Sequence, residues 1–104
     1  MPGEAKNDVK NDVQHDAGAH RFYVRLPEGL AYLAYAPAGG NVIDVQHTFV
    51  PEEAEGQGVG SALATAAFAY AREHGLRVVP TCPYVSEWLG RHREVLDLVV
   101  SAGE

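Results

Sequence analysis

The sequence predicts a small α+β domain with a mixed sheet, in which an antiparallel meander is followed by a βαβ crossover and a C-terminal helix. Three observations predict this fold class. Residues 20–50 contain three alternating stretches, separated by turns that are rich in proline and glycine. A cluster of glycines then precedes an alanine-rich stretch whose apolar residues have helical spacing. A second short apolar stretch follows that helix.

The three strands of the meander are predicted at residues 20–26, 30–36 and 41–50. Pro-Glu-Gly and Pro-Ala-Gly-Gly sequences between them supply the residues that turns prefer. Pro51 ends the third strand, because proline cannot donate a hydrogen bond to a neighbouring strand.

The helix of the crossover is predicted to begin directly after the glycines. Its apolar stripe comprises Val59, Leu63, Ala66, Ala67 and Tyr70. The helix is predicted to end at His74, because Gly75 can adopt the left-handed conformation that closes a helix. Residues 76–82 are predicted to form a strand parallel to the third one, and residues 83–100 to be at least partly helical.

Size and composition restrict the class of protein. With 104 residues, the chain is predicted to form one domain. Its net charge of -6 argues against non-specific binding to nucleic acid or anionic membranes, and it is compatible with a basic substrate. The single cysteine, Cys82, allows no internal disulfide. Without an apolar stretch of membrane-spanning length or a signal-peptide pattern, the sequence predicts a cytoplasmic protein.

The first residues differ in composition from the rest. A Lys-Asn-Asp-Val sequence occurs twice in succession at residues 6–13, and apolar residues are few. Residues 1–18 are therefore predicted to be a disordered tail, and residues 19–101 a single domain. No histidine pair has the spacing of a metal site, so no metal is predicted.

The glycine cluster predicts a phosphate-binding turn. Gly56, Gly58 and Gly60 alternate just before a helix, where bare backbone N–H groups and the helix dipole attract an anion. A nucleoside triphosphate loop is excluded, because it requires a lysine after its last glycine and this chain has Ser61. A dinucleotide site is disfavoured by the glycine spacing and by the absence of a carboxylate at the end of the next strand.

Residues 42–88 resemble the GCN5-related N-acetyltransferase superfamily. Gly58 and Gly60 match the two small positions of its acetyl-CoA turn. A His-Thr-Phe-Val-Pro sequence at 47–51 and a Pro-Thr-Cys-Pro-Tyr-Val sequence at 80–85 are similar to the small, single-domain branch that carries a Cys-x-Tyr element. One position departs from the pattern, since Glu55 stands where the superfamily usually has arginine or glutamine.

The resemblance implies that the protein binds acetyl-CoA as a co-substrate and transfers its acetyl group to a primary amine, on a small molecule or a protein lysine. The pantetheine arm would lie between two splayed strands, with the Val50 N–H polarising the thioester carbonyl. The residues implied in coenzyme binding are Phe49, Val50, Gly56, Gln57, Gly58, Val59, Gly60 and Ser61.

Two further residues are candidates for the chemistry. Cys82 is either a nucleophile that carries the acetyl group or a buried packing residue. His47, on the preceding strand, is a candidate base for that thiol. An Arg-His-Arg cluster at 91–93 either contacts the 3′-phosphate of coenzyme A or forms a solvated face. A non-catalytic acyl-CoA-binding or partner-binding module remains the alternative function, and the acceptor and the oligomeric state are left open.

Overall fold

The computed structural model describes residues 13–101 and contains one five-stranded sheet in the order β1-β2-β3-β4-β5. The strands are β1 (Gln14–Asp16), β2 (Arg21–Leu26), β3 (Gly29–Pro37), β4 (Val42–Phe49) and β5 (Arg77–Pro80). The helices are α1 (Val59–Glu73) and α2 (Pro83–Trp88), and 3-10 turns lie at Glu52–Ala54, Leu89–Arg91 and Arg93–Leu98.

The topology confirms the predicted mixed sheet. Strands β1 to β4 pair antiparallel in sequence order, and α1 crosses over to β5, which pairs parallel with β4. The crossover helix ends as predicted, because Gly75 has φ +68° and the Leu76 N–H bonds to the Ala71 carbonyl at 2.8 Å. The predicted C-terminal helix is a short α2 followed by 3-10 turns.

Both helices pack on the same face of the sheet. Phe68 of α1 stacks on Trp88 of α2 with ring centroids 5.5 Å apart, and both side chains are buried. The face of the sheet that the helices cover is called the inner face below. It contributes to the same core the side chains of Phe22, Val24, Ala31, Leu33, Tyr35, Ile43 and Val45. The other face of the sheet, called the outer face below, carries no helix among residues 13–101.

The predicted tail boundary at residue 18 is wrong for residues 14–16, which form β1. His15 attaches this strand, because its ring stacks on Phe22 at 4.1 Å and its Nε2 lies 2.6 Å from the Tyr35 hydroxyl oxygen. The sequence did not indicate the strand because Gln-His-Asp lacks the apolar alternation of a strand. Residues 1–12 of the predicted tail lie outside the described residues.

Docking of β1 is expected to weaken in mild acid. Burial lowers the pKa of His15 below its ordinary value of 6.5, and His74 acts in the same direction while Asp16 opposes it. His15 therefore binds a proton more readily when β1 is detached from the sheet than when β1 is docked. The docked state is consequently most stable above pH 6.5 and loses stability as the pH falls below that value. The amide NMR signals of Phe22 should report this titration. A His15→Phe variant, which keeps a ring but cannot titrate, should lack it; identical titrations in both proteins would contradict the expectation.

A β-bulge changes the side-chain alternation in β4. Tyr35 of β3 faces Val45, but the preceding Ala34 faces His47, so Gln46 is an extra residue. Ahead of the bulge, Val45 is buried in the core beneath the helices. Beyond it Thr48 shares the inner face with its partner Leu33, and His47 therefore lies on the outer face.

Among residues 13–101, no helix has the length and apolar character needed to cross a membrane.

Candidate active site

An open pocket of about 470 Å³ lies at the N-terminal end of α1. It lies where the parallel strands separate. Strand β5 pairs with β4 only as far as Val45, where the Cys82 N–H bonds to the Val45 carbonyl at 2.9 Å. Strand β4 then continues to Phe49, while the chain after β5 turns into α2. The pocket is lined by Thr48, Val50, Ala54, Glu55, Gly56, Gly58, Val59, Gly60 and Tyr84.

The glycine turn leaves the N-terminus of α1 accessible. Gly56 (φ +84°) and Gly58 (φ +82°) are both left-handed, a conformation that residues with a Cβ rarely adopt. Gly58 immediately precedes α1, and no side chain caps the helix. The first backbone N–H groups of α1 thus have no partner within the helix and can bind an anion together with the helix dipole.

Tyr84 lines the pocket from the side of α2, a position that the sequence did not predict. A Cβ built on Gly60 would lie 2.7 Å from the Tyr84 hydroxyl oxygen, so only glycine allows this contact. Burial raises the pKa of Tyr84 above its ordinary value of 10.0, an effect that the charge of Arg91 partly offsets. The phenol therefore keeps its proton at neutral pH and is a potential hydrogen-bond or proton donor.

Ser61 interacts with α2 through its side chain. Trp88 Nε1 donates a hydrogen bond of 2.9 Å to Ser61 Oγ. Since Ser61 does not line the pocket, the predicted contact between Ser61 and a ligand would use its backbone N–H. This hydrogen bond fixes the first turn of α1 against α2, and so helps to shape the pocket.

Cys82 and His47 are not brought together. Cys82 is buried, and its Sγ donates to Thr48 Oγ1 at 3.4 Å, so the thiol lies behind a side chain that lines the pocket. His47 is exposed on the outer face, with its ring centroid 5.8 Å from that of Tyr32. The bulge at Gln46 accounts for this separation, because it places Thr48 on the side where simple alternation would place His47.

The other predicted coenzyme-binding residues divide into two groups. Those that line the pocket are Val50, Gly56, Gly58, Val59 and Gly60, and those that do not are Phe49, Gln57 and Ser61. Thr48, Ala54 and Tyr84 also line the pocket, although the sequence did not predict them there. Tyr84 stood in the quoted Cys-x-Tyr element, which could have drawn attention to it. Within residues 13–101 no cluster of three or more potential ligands could hold a metal ion.

Comparisons with known proteins agree with this architecture. A family model described as GCN5-related N-acetyl-transferase matches residues 21–98. Protein NATD1 of Bos taurus is 34% identical over 90 residues, which are 85% of this chain and 80% of that protein. Protein NATD1 of Homo sapiens is 35% identical over 79 residues, which are 74% of this chain and 70% of that protein.

The fold has a solved counterpart. The NMR solution structure of a GCN5-like protein from Staphylococcus aureus superposes with a TM-score of 0.69 at 28% identity, covering 88% of this chain and 90% of that one. The family model covers most of the folded chain, and the relatives match along most of their own length. The chain therefore belongs to the GCN5-related N-acetyltransferase family.

Proposed function

We propose that the protein is an acetyl-CoA-dependent N-acetyltransferase that acts on a primary amine, on a small molecule or a protein lysine. One observation carries the proposal: the uncapped glycine turn at the start of α1 opens into a pocket beside two separating strands. A diphosphate can accept hydrogen bonds from the turn while an extended acyl arm follows the end of β4. Family membership supports the same activity.

In the proposed reaction, the neutral amine attacks the thioester carbonyl carbon of acetyl-CoA. A C–N bond forms and the C–S bond breaks, so the acetyl group moves to nitrogen and the coenzyme leaves as a thiolate. The N–H of Val50, the first residue after β4, would stabilise the negative charge on the carbonyl oxygen. Tyr84, which keeps its proton at neutral pH, would donate that proton to the departing sulfur. The proton that the nitrogen releases as the amide forms would pass through solvent to the Tyr84 phenolate, so that the products are the amide, coenzyme A thiol and a neutral Tyr84.

Coenzyme binding can be tested separately from turnover. On titration of the ¹⁵N-labelled protein with acetyl-CoA, the amide signals of Gly58 and Gly60 should shift, while those of Gly39 and Gly40, in the β3–β4 turn outside the pocket, should not. Release of coenzyme A from a panel of primary amines, followed with a thiol reagent, then tests transfer. Saturating acetyl-CoA without any effect on Gly58 and Gly60 would refute the proposal.

Glu55 is expected to weaken coenzyme binding. Glu55 lines the pocket next to the glycine turn where the diphosphate would lie, so its negative charge and that of the diphosphate would repel each other. Glu55→Arg should tighten coenzyme A binding by about 1 kcal/mol, or roughly fivefold in Kd, as measured by calorimetry. The matched control is Glu53→Arg, because Glu53 is exposed nearby but does not line the pocket. Equal affinities of the two variants would remove the repulsion argument.

The role of Cys82 is decided by a substitution to alanine. Because its thiol is buried and bonded to Thr48, we expect Cys82 to position the pocket wall while the amine attacks acetyl-CoA directly. Cys82→Ala should therefore retain turnover within a few-fold. An inactive Cys82→Ala variant, together with an acetylated wild-type protein in mass spectra taken after mixing with acetyl-CoA alone, would instead establish Cys82 as the nucleophile.

A second candidate function is a non-catalytic acyl-CoA-binding module. The acidic Glu55 at the head of the turn favours it, since tight coenzyme binding would be better served by a basic or neutral residue. The two functions differ in one measurement. A module would bind acetyl-CoA at Gly58 and Gly60 and release no coenzyme A with any amine.

A further inference from the structure

The outer face of the sheet carries a row of aromatic side chains. Tyr23 of β2, Tyr32 of β3 and Phe49 of β4 are successive cross-strand partners, and we call them the outer aromatic row. The Tyr32 and Phe49 ring centroids are 5.7 Å apart, and Phe49 is 45% exposed. An exposed phenylalanine next to tyrosine rings forms a surface on which an apolar or planar group can pack.

Two arginines of β2 lie over the tyrosine rings of this row, Arg25 over Tyr23 and Arg21 over both Tyr23 and Tyr32. The guanidinium carbon of Arg25 lies 5.4 Å from the centre of the Tyr23 ring, and that of Arg21 lies 5.9 Å from Tyr23 and 6.0 Å from Tyr32. In the described part of the chain neither guanidinium forms an ion pair. Asp16, the cross-strand partner of Arg21, accepts a hydrogen bond from the Ala19 N–H. In a chain with net charge -6, the two guanidinium groups are a local concentration of positive charge.

The Phe49 end of the row meets the pocket. Phe49 lies on the outer face, whereas its neighbours Thr48 and Val50 line the pocket on the inner face. Strand β4 has no pairing with β5 beyond Val45, so the sheet is open on that side of this segment. An acceptor on the outer face can reach a thioester at this opening while the coenzyme occupies the inner side.

We propose that the outer aromatic row binds the acceptor of the reaction, and that this acceptor carries an anionic group far from its primary amine. The proposal rests on the acetyltransferase function argued above. The amine lies by Phe49 at the opening, the body of the acceptor packs along Tyr32 and Tyr23, and the anion meets Arg21 and Arg25. Because the row crosses two inter-strand spacings, amine and anion are roughly 10 Å apart. The acidic protein as a whole attracts the protonated amine before it binds.

Three probes of equal chain length test the proposal: octylamine, ω-aminooctanoate and ω-aminooctyl phosphate. We expect at least one anionic probe to have a kcat/KM about tenfold above that of octylamine, because a charge-assisted contact with arginine adds to binding. In an Arg25→Gln variant this preference should fall several-fold, because only Arg21 remains to contact the anion. The preference should persist in an Arg77→Gln variant, which removes an exposed arginine from the first position of β5, away from the outer aromatic row. Equal kcat/KM for all three probes in the wild-type protein would overturn the proposal.

Amide NMR signals distinguish a failed surface from a failed enzyme. The preferred anionic probe should shift the signals of Tyr23, Tyr32 and Phe49 whether or not acetyl-CoA is turned over. If acetyl-CoA shifts Gly58 and Gly60 and amines are acetylated, but no probe affects the row, the acceptor inference is wrong and the proposed function stands. If a single-stranded oligonucleotide shifts the row and the probes do not, the face is a stacking platform for bases, and the inference is again wrong.

Discussion

Tyr84→Phe is expected to reduce turnover about 10²-fold, which is typical for the loss of a general acid. The phenol lines the pocket and keeps its proton at neutral pH because burial raises its pKa, so it can protonate the thiolate as the coenzyme leaves. Phenylalanine keeps the ring against Gly60 and removes only the hydroxyl group. Coenzyme affinity, measured by calorimetry, should therefore change little while kcat falls.

The control for this variant is Tyr70→Phe. Tyr70 lies on α1 beside His15 and His74 and does not line the pocket, so its kcat should match that of the wild-type protein. A Tyr84→Phe variant with wild-type kcat would refute the role of Tyr84 as the proton donor. A variant with a normal kcat and a weakened affinity would place Tyr84 in coenzyme binding only.

Phe68→Ala is expected to lower the free energy of unfolding by about 3–5 kcal/mol, the usual cost of truncating a buried phenylalanine. Phe68 is 2% exposed and stacks on Trp88, so the substitution leaves a cavity between the two helices. Domains of this kind are stable by only about 5–15 kcal/mol, and the variant should have a much lower urea midpoint by far-UV circular dichroism.

Phe49→Ala provides the matched control for stability. This phenylalanine is 45% exposed on the outer face and packs on Tyr32, so its removal should lower the free energy of unfolding by only about 1 kcal/mol. Equal urea midpoints for the Phe68 and Phe49 variants would show that the contact between α1 and α2 contributes little to the stability of the fold.

The order of elements from β2 onward could be predicted because each of them has a local signal. Alternation predicted the meander, helical spacing and Gly75 predicted α1 and its end, and a short apolar stretch predicted β5. The glycine turn could also be predicted, since glycine permits the positive φ angles that Gly56 and Gly58 adopt. Five of the eight residues predicted to bind the coenzyme line the pocket.

What could not be predicted depends on contacts distant in sequence. A single extra residue at Gln46 has no sequence signature, yet it decides that Thr48 and not His47 lies beside Cys82. Strand β1 is equally hidden, because His15 attaches it through rings that come from β2, β3 and α1. The position of Tyr84 depends on how α2 packs against the first turn of α1.

Because of the hydrogen bond between Trp88 and Ser61, the intrinsic fluorescence of the protein can report on ligand binding. Trp88 is the only tryptophan of the chain, and its indole N–H is bonded to the first turn of the helix that begins at the glycine turn. Its fluorescence therefore monitors one place in the molecule, without any attached dye. A ligand that tightens or displaces that turn changes the polarity around the indole, so emission spectra can screen candidate ligands of the unmodified protein in solution.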